Sequence, residues 1–260
     1  MIGTALLAGF LAGFFGIGGG IITVPMLYYI FQTLNIDSNF IMHLAIGTSF
    51  SIIVPTAIMS VFTHYKHRSV DFSVLKSYGL FVVIGVFLGT LISANLHTKS
   101  LVLFFSIALY FLAFNIFFIK EQTEIKKNFT LITKIILGFI SGFVSSLMGI
   151  GGAIINVPIL KYAGFSINKA IGSAAAIGFL IALCGAIGFF ISGSYLKVNL
   201  PLSVGFINVP AFLIIVPITT FMAKIGANTM HKIDKSKVSK LFGIFLLIVA
   251  TKFLYNYLNF

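Results

Sequence analysis

The sequence predicts an all-α polytopic membrane protein of two inverted repeats, each with one broken, glycine-rich segment plus three transmembrane helices. Three observations predict it. A ten-residue motif occurs twice, as GIGGGIITVP at 16–25 and GIGGAIINVP at 149–158, with eight positions identical and the copies 133 residues apart. The chain is 59% hydrophobic and only 8% charged, with a mean hydropathy of +1.11, against roughly 25% charged residues in a soluble domain. Its basic residues give a formal net charge of +12. They fall between the apolar runs, where membrane loops collect Lys and Arg, so the charge is not read as a nucleic-acid surface.

Eight apolar segments follow one another. The first, 2–31, contains Gly16, Gly18, Gly19 and Gly20 and then Pro25. Its roughly 30 residues are long for one crossing, which needs roughly 20, and too short for two. Two half-helices meeting near the midplane fit that length and put the glycines at their tip. Segments 41–63, 74–96 and 101–119 each suit a single crossing. Residues 120–130 (KEQTEIKKNFT) read as a polar linker between the repeats 1–119 and 131–260. Segment 131–160 is again long and glycine-broken, with Gly149, Gly151, Gly152 and then Pro158. Segments 167–193, 201–223 and 238–258 are again single crossings. The repeat continues past the glycines: Ala45-Ile46-Gly47-Thr48 matches Ala170-Ile171-Gly172-Ser173 at an offset of 125, so the connection is eight residues shorter in the second half. Lys99–Phe105 and Lys237–Gly243 open the last helix of each half.

Loop charges discriminate between topologies. If all eight segments cross, nine basic residues lie on one side and eight on the other, which gives no orientation. If the first and fifth are re-entrant, one side collects fourteen, leaving Lys99, Lys197 and Lys252 on the other. That is a strong positive-inside bias. It puts the loops at 64–76, 120–134, 161–169 and 224–240 in the cytoplasm and both termini outside. Three crossings per half also inverts the halves relative to each other, and paired breaks in such halves point to a substrate site. The expected location is the cell inner (plasma) membrane. Met1–Phe15 carries no Lys or Arg, so no signal peptide with a basic n-region is expected.

The chemistry expected at the tips comes from unpaired backbone, which survives at membrane depth only where protein or a watery cavity satisfies it. Gly16, Gly18, Gly19 and Gly20, with Gly149, Gly151 and Gly152, let the chain turn and a ligand approach it. Thr23 and Asn156 occupy matching positions two before Pro25 and Pro158, a spacing that reads as a helix start. Two such N-terminal ends facing each other make an anion site without a buried cation. Thr48, Ser49 and Ser51 in the first half, and Ser173 in the second, add hydroxyl donors. The five acids (Asp37, Asp71, Glu121, Glu124, Asp234) lie in loops or at segment ends, so the mid-helix carboxylate of many cation-coupled carriers is missing.

Plainer readings stand beside these. The glycine clusters lack the downstream acidic residue of a dinucleotide site and the Gly-Lys-Ser/Thr ending of a phosphate loop. Gly9/Gly13, Gly85/Gly89 and Gly138/Gly142 have the spacing of close helix packing. Thr48 and Ser173 have the alternative of bonding only their own backbone. His64 and His67 flank Lys66 without a third ligand in view, an interfacial basic cluster rather than a metal site. Cys184 reads as a small buried hydrophobe, and as the single cysteine it excludes an intramolecular disulfide.

The paired glycine–proline motifs, the AIGTS and AIGSA that follow them, and the His-containing loop before Val70-Asp71 resemble the TauE/SafE sulfite-exporter family, over essentially the whole chain. The resemblance implies movement of sulfite and of organosulfonates such as sulfoacetate. Carried over by motif, Gly16–Gly20 with Thr23 and Gly149–Ala153 with Asn156 are then the core of the pathway. One departure is Ala153 where the first copy has Gly20, a Cβ that narrows the site. The expectation is a secondary transporter of a small anion working by alternating access, coupled to the proton gradient or the membrane potential, and not an enzyme. The partners expected are the anion and the lipid bilayer, with homo-oligomerisation left open. No nucleic acid, metal or cofactor is expected. The rival readings are a membrane-embedded accessory or scaffold protein and a carrier of a non-sulfur substrate.

Overall fold

The computed structural model describes residues 2–118, 130–232 and 235–259. In chain order these form α1 (Ile2–Phe15), α2 (Gly20–Thr33), α3 (Ile41–Lys66), α4 (Phe72–Asn95) and α5 (Thr98–Phe118), then α6 (Leu131–Met148), α7 (Ala153–Tyr162) and α8 (Ile167–Tyr195). A two-residue hairpin, β1 (Ser203–Val204) and β2 (Ile207–Asn208), precedes α9 (Val209–Met230) and α10 (Lys235–Leu258). The chain is an all-α polytopic membrane protein. Seven of its described helices are long and apolar enough to cross a membrane. Many outward side chains are large and apolar (Leu80, Leu91, Phe111, Phe114, Leu213, Phe221), as helices bathed in hydrocarbon require.

Both glycine-rich segments break into two helices that fold back on themselves. In the first, Thr4 of α1 meets Met26 of α2, while Gly19 at the turn lies against Ala8 and Ala12. In the second, Ser141 of α6 bonds Asn156 of α7, and Ser145 lies beside Gly152. Each is a hairpin whose two ends lie at the same end of the bundle. At about 1.5 Å per residue, the 14 residues of α1 reach roughly 21 Å, short of a hydrocarbon core of roughly 30 Å. The 18 residues of α6 are nominally long enough to cross, but the turn at Gly149 is set against Ile46 of α3 and the chain returns as α7.

Contacts fix the direction of every helix. Thr56 meets Thr219 and Thr48 meets Asn208, so α3 and α9 run parallel. Phe50 lies beside Gly185 and Ser69 beside Gly172, so α8 opposes α3. Gly79 faces Leu180 and Thr90 faces Gly188, so α4 follows α8. Ser106 bonds Ala250 while Phe117 meets Gly243, so α5 and α10 are antiparallel. The glycine pairs of the first and fourth helices make the remaining contacts. Gly9 and Gly13 lie on Thr219 and Ala223 of a parallel α9, as Gly138 and Gly142 lie on Phe81 and Val82 of a parallel α4. Each helix of the second half thus runs opposite to its counterpart in the first. The first helix of each half packs on the fourth of the other, so the halves interlock.

One end of the bundle carries residues 64–71, 163–166 and the chain after Met230: Asp71 meets Ser173, and His64 meets His231. Lys66, Arg68, Lys161, Lys169 and Lys232 lie there. The other end carries 34–40, 96–97 and 196–208, with Thr98 bonded to Asn39. The eight-residue difference between the repeats falls here, half of it because α2 has 14 residues and α7 only 10.

Two expectations need correction or placement. The crossing expected at 201–223 starts later. Pro201–Asn208 instead form a turn and the β1–β2 hairpin, with Ser203 opposite Asn208. Asn208 Oδ1 accepts from the Ala211 N–H at 3.1 Å, and Pro210 sits in the first turn of α9, where its missing N–H has no partner to lose. The linker 120–130 lies outside the described residues except for Thr130, whose hydroxyl caps α6.

Candidate functional site at the two hairpin tips

The tips meet in the core, backbone against backbone. A Cβ on Gly151 would stand 2.9 Å from the Ile17 carbonyl oxygen and 3.6 Å from Gly18 Cα, and one on Gly20 would overlap the Gly149 carbonyl. Ile53 at the middle of α3 and Gly178 of α8 close around this contact. Every residue from Gly16 to Val24 and from Met148 to Ala153 is buried, so the tips are shut off from both ends. A surface depression of about 330 Å³ sits away from the tips, between Asn35–Phe40 and Leu196–Pro201 at the far end of the bundle.

The helices after the tips do not start where Thr23 and Asn156 led the sequence reading to expect. They are capped four residues earlier, by Gly19 (φ +82°) and Gly152 (φ +68°) in the left-handed region that glycine tolerates, and begin at Gly20 and Ala153. Neither cap residue supplies a side-chain acceptor, so the first N–H groups of α2 and α7 are uncapped donors. Thr23 and Asn156 lie in the first turn and point back to the cap carbonyls: Thr23 Oγ1 to Gly19 O at 3.3 Å, Asn156 Nδ2 to Gly152 O at 2.9 Å. Pro25 and Pro158 are inside the helices, each removing an N–H that would bond four residues back.

The predicted residues separate into four groups. Gly18, Gly20, Gly149 and Gly151 meet at the tip contact, with Gly19 and Gly152 as caps facing their own hairpins. Thr23, Ser49 and Asn156 lie next to it and are fully buried. Ser49 donates to the Gly149 carbonyl at 2.9 Å and stands 2.8 Å from Thr23 Oγ1, so it ties one hairpin to the other. Asn156 Oδ1 accepts from Ser141 and Tyr78, each at 2.9 Å. Gly16 sits apart, against Ile171 and Ala175 of α8.

Thr48 and Ser173 are not at the tips. Thr48 Oγ1 accepts from the Asn208 N–H, and Ser173 Oγ from the Asp71 N–H, both at 2.9 Å. Asn208 and Asp71 are the N-caps of α9 and α4. The neighbouring Gly47 and Gly172 let the Phe206 and Ser69 carbonyls come close. The repeated Ala-Ile-Gly-Thr/Ser motif therefore docks one loop at each end of the bundle. Neither hydroxyl bonds its own helix, the alternative left open by the sequence.

Sequence reasoning missed Tyr78, Ser141 and Ser145. The four-residue spacing of the two serines on α6 was the available signal; Tyr78, in the other half, carries none. It also missed the third histidine. His231 stacks on His67 with ring centroids 4.1 Å apart, and His67 Nε2 lies 2.9 Å from Asn228 Oδ1. His64 donates Nε2–H to the Gly13 carbonyl at 2.9 Å, pinning the end of α1. Among the described residues no group of three ligands has the geometry to hold a metal, and no Asp, Glu, Lys or Arg is buried. The tip region is thus a neutral set of backbone and side-chain dipoles.

A family model described as sulfite exporter TauE/SafE matches residues 1–253. A probable membrane transporter protein of Haemophilus influenzae is 35% identical over 94% of this chain and 93% of its own length. Probable membrane transporter proteins of Methanocaldococcus jannaschii (28% identical, 95% of this chain and 94% of theirs) and Bacillus subtilis (24%, 96% and 95%) also match. No solved structure matches significantly.

Proposed function

This chain belongs to the sulfite exporter TauE/SafE family and is a membrane transporter, not an enzyme; from that premise we propose that it carries a small anion, sulfite or an organosulfonate, by alternating access. The observation that carries this reading is the meeting of two buried tips, one from each half, where α2 and α7 each begin with uncapped N–H groups. A helix N-terminus offers an anion oriented donors and a favourable dipole. With no fixed charge buried nearby, the anion is held by dipoles it can leave again, as a carrier requires.

The opposed directions of corresponding helices support a mechanism in which the halves exchange conformations around the tips. In the closed form described here, the loop before α4 plugs one end and the loop before α9 the other. Release of the Ser173–Asp71 contact opens the first, and release of the Thr48–Asn208 contact opens the second. The basic end holding Lys66, Arg68, Lys161 and Lys169 is the cytoplasmic one, in the cell inner membrane. The repeat boundary lies at 120–130, and the proton gradient or membrane potential drives transport.

The test is sulfite counterflow in proteoliposomes holding the purified protein. Labelled sulfite should accumulate against unlabelled internal sulfite, and Gly151→Val, with its side chain against the Ile17 carbonyl, should abolish this without preventing insertion. Wild-type protein that moves neither sulfite nor sulfonates refutes the proposal and favours the accessory role.

A further inference from the structure

The two tips divide their hydrogens unequally. Ser49 gives its only hydroxyl hydrogen to the Gly149 carbonyl, and the single Thr23 hydrogen is taken up by its two acceptors, Ser49 Oγ at 2.8 Å and the Gly19 carbonyl at 3.3 Å. These two side chains then have no donor left over. At the second-half tip, Asn156 commits one amide hydrogen to Gly152 O and keeps another. Ser145 Oγ is wholly buried and has no hydrogen-bond partner among the described residues. Buried hydroxyls are seldom left so.

These donors converge. The point where a Cβ on Gly152 would stand lies 2.8 Å from Ser145 Oγ and 3.1 Å from Asn156 Nδ2, with Ile181 Cδ1 at 2.5 Å; the closed form leaves no room for a further atom there, so the Ile181 side chain and the tips must draw back before an anion reaches these donors. Gly152 is the cap of α7, so the uncapped first N–H groups of that helix emerge beside the same point. The equivalent point beside Gly19 has the Ala8 carbonyl oxygen at 3.0 Å and Ala12 Cβ at 3.3 Å. An acceptor and a methyl offer an anion nothing.

We infer that the anion is held at the second-half tip, by the Ser145 hydroxyl, the spare Asn156 amide hydrogen and the first N–H groups of α7, with the first-half tip as the wall that closes over it. The ligand class is a compact oxyanion presenting two or more unprotonated oxygens to one face. The assignment rests on the anion-transport reading above and adds a residue and an asymmetry that the repeated motif hides, since Ala12 stands where Ser145 does in the other half.

The experiment compares wild type, Ser145→Ala and Ala12→Ser by labelled sulfite uptake into proteoliposomes, and by melting of each purified protein with and without sulfite. Ser145→Ala should raise the half-saturating sulfite concentration about tenfold or more, the worth of one hydrogen bond to a charge. It should leave the sulfite-free melting temperature little changed and reduce stabilisation by sulfite. Ala12→Ser should leave half-saturation at the wild-type value. If Ser145→Ala does not assemble, Ser145→Cys keeps the volume with a weaker donor and should weaken binding in the same sense. A serine variant with wild-type half-saturation, or an equal effect from Ala12→Ser, overturns the assignment while transport stands. Wild type that neither takes up sulfite nor is stabilised by it overturns the transport reading and this assignment together.

Discussion

Replacing Gly20 by Ala tests the tip contact most directly, because the second copy of the motif already carries Ala153 at that position. Gly20 has no positive φ, so alanine meets no backbone strain there, and any effect measures proximity. The added methyl would overlap the Gly149 carbonyl oxygen and stand 2.8 Å from Ile150 Cα. Carbon atoms in contact rest at about 3.5–4.0 Å, so the tips must separate by roughly 1 Å. Both neighbours are main chain, so no rotamer change relieves the clash. Overpacking of this kind costs about 1–3 kcal/mol. Moving Gly149 also stretches the 2.9 Å bond from Ser49, adding about 1 kcal/mol. At roughly 2–4 °C per kcal/mol for a chain of this size, the melting temperature should fall by about 4–16 °C. The chain has no Trp, so melting is followed by circular dichroism at the helical bands in detergent, with sulfite uptake measured in parallel. Ala153→Gly, which removes a methyl the fold already holds, should cost only about 1 kcal/mol. Gly20→Ala that melts with the wild type and transports at its rate would falsify the backbone-to-backbone contact.

Three further outcomes are expected. Thr48→Val orphans a buried N–H, at about 1–3 kcal/mol, and Ser173→Ala a part-buried one, at about 1 kcal/mol. Hydrogen exchange should quicken at Asn208 in the first and at Asp71 in the second; simultaneous quickening at both ends would disprove independent docking. In a Cys184→Ser background, Asn35→Cys should react with impermeant reagents only from outside and Arg68→Cys only from the cytoplasm, and cytoplasmic labelling at position 35 would sink the hairpin topology. Asp71 accepts from the Ser73 hydroxyl and N–H at 2.6 and 3.0 Å. These bonds, with nearby Lys169, hold its carboxyl below the usual carboxylate range. A depressed folded value means the stabilisation is present above about pH 4 and fades as pH falls through the folded value. Asp71→Ala should therefore cost about 1 kcal/mol near neutrality. Denaturation by guanidinium should show that gap closing in acid, and a gap unchanged at pH 3 contradicts the capping role.

Legibility followed the range of each interaction. The hairpins were readable because length is a one-dimensional constraint: a segment of roughly 30 apolar residues cannot cross a core of roughly 30 Å twice. The late start of α9 was not, because 201–208 is apolar enough to pass as helix and only the Asn208 cap and the β1–β2 pairing end it. Thr23 and Asn156 were rightly marked as special but were assigned the wrong post. A glycine in the left-handed region outcompetes a Thr or Asn cap when the turn itself demands positive φ.

The sequence by itself determined the membrane environment, the two broken segments, the twofold repetition and the positions of the glycine tips. Each of these is written in composition, spacing or identity along the chain. Tertiary structure alone decided the exchange of partners between the halves, the use of Thr48 and Ser173 as loop anchors, and the asymmetry between Ser145 and Ala12. These depend on which atoms from distant segments come within about 3 Å, and on how many hydrogens each donor has left once its neighbours are served. A repeated motif carries the symmetry of the fold, while the unequal count of free donors around it lies in side chains the motif does not contain.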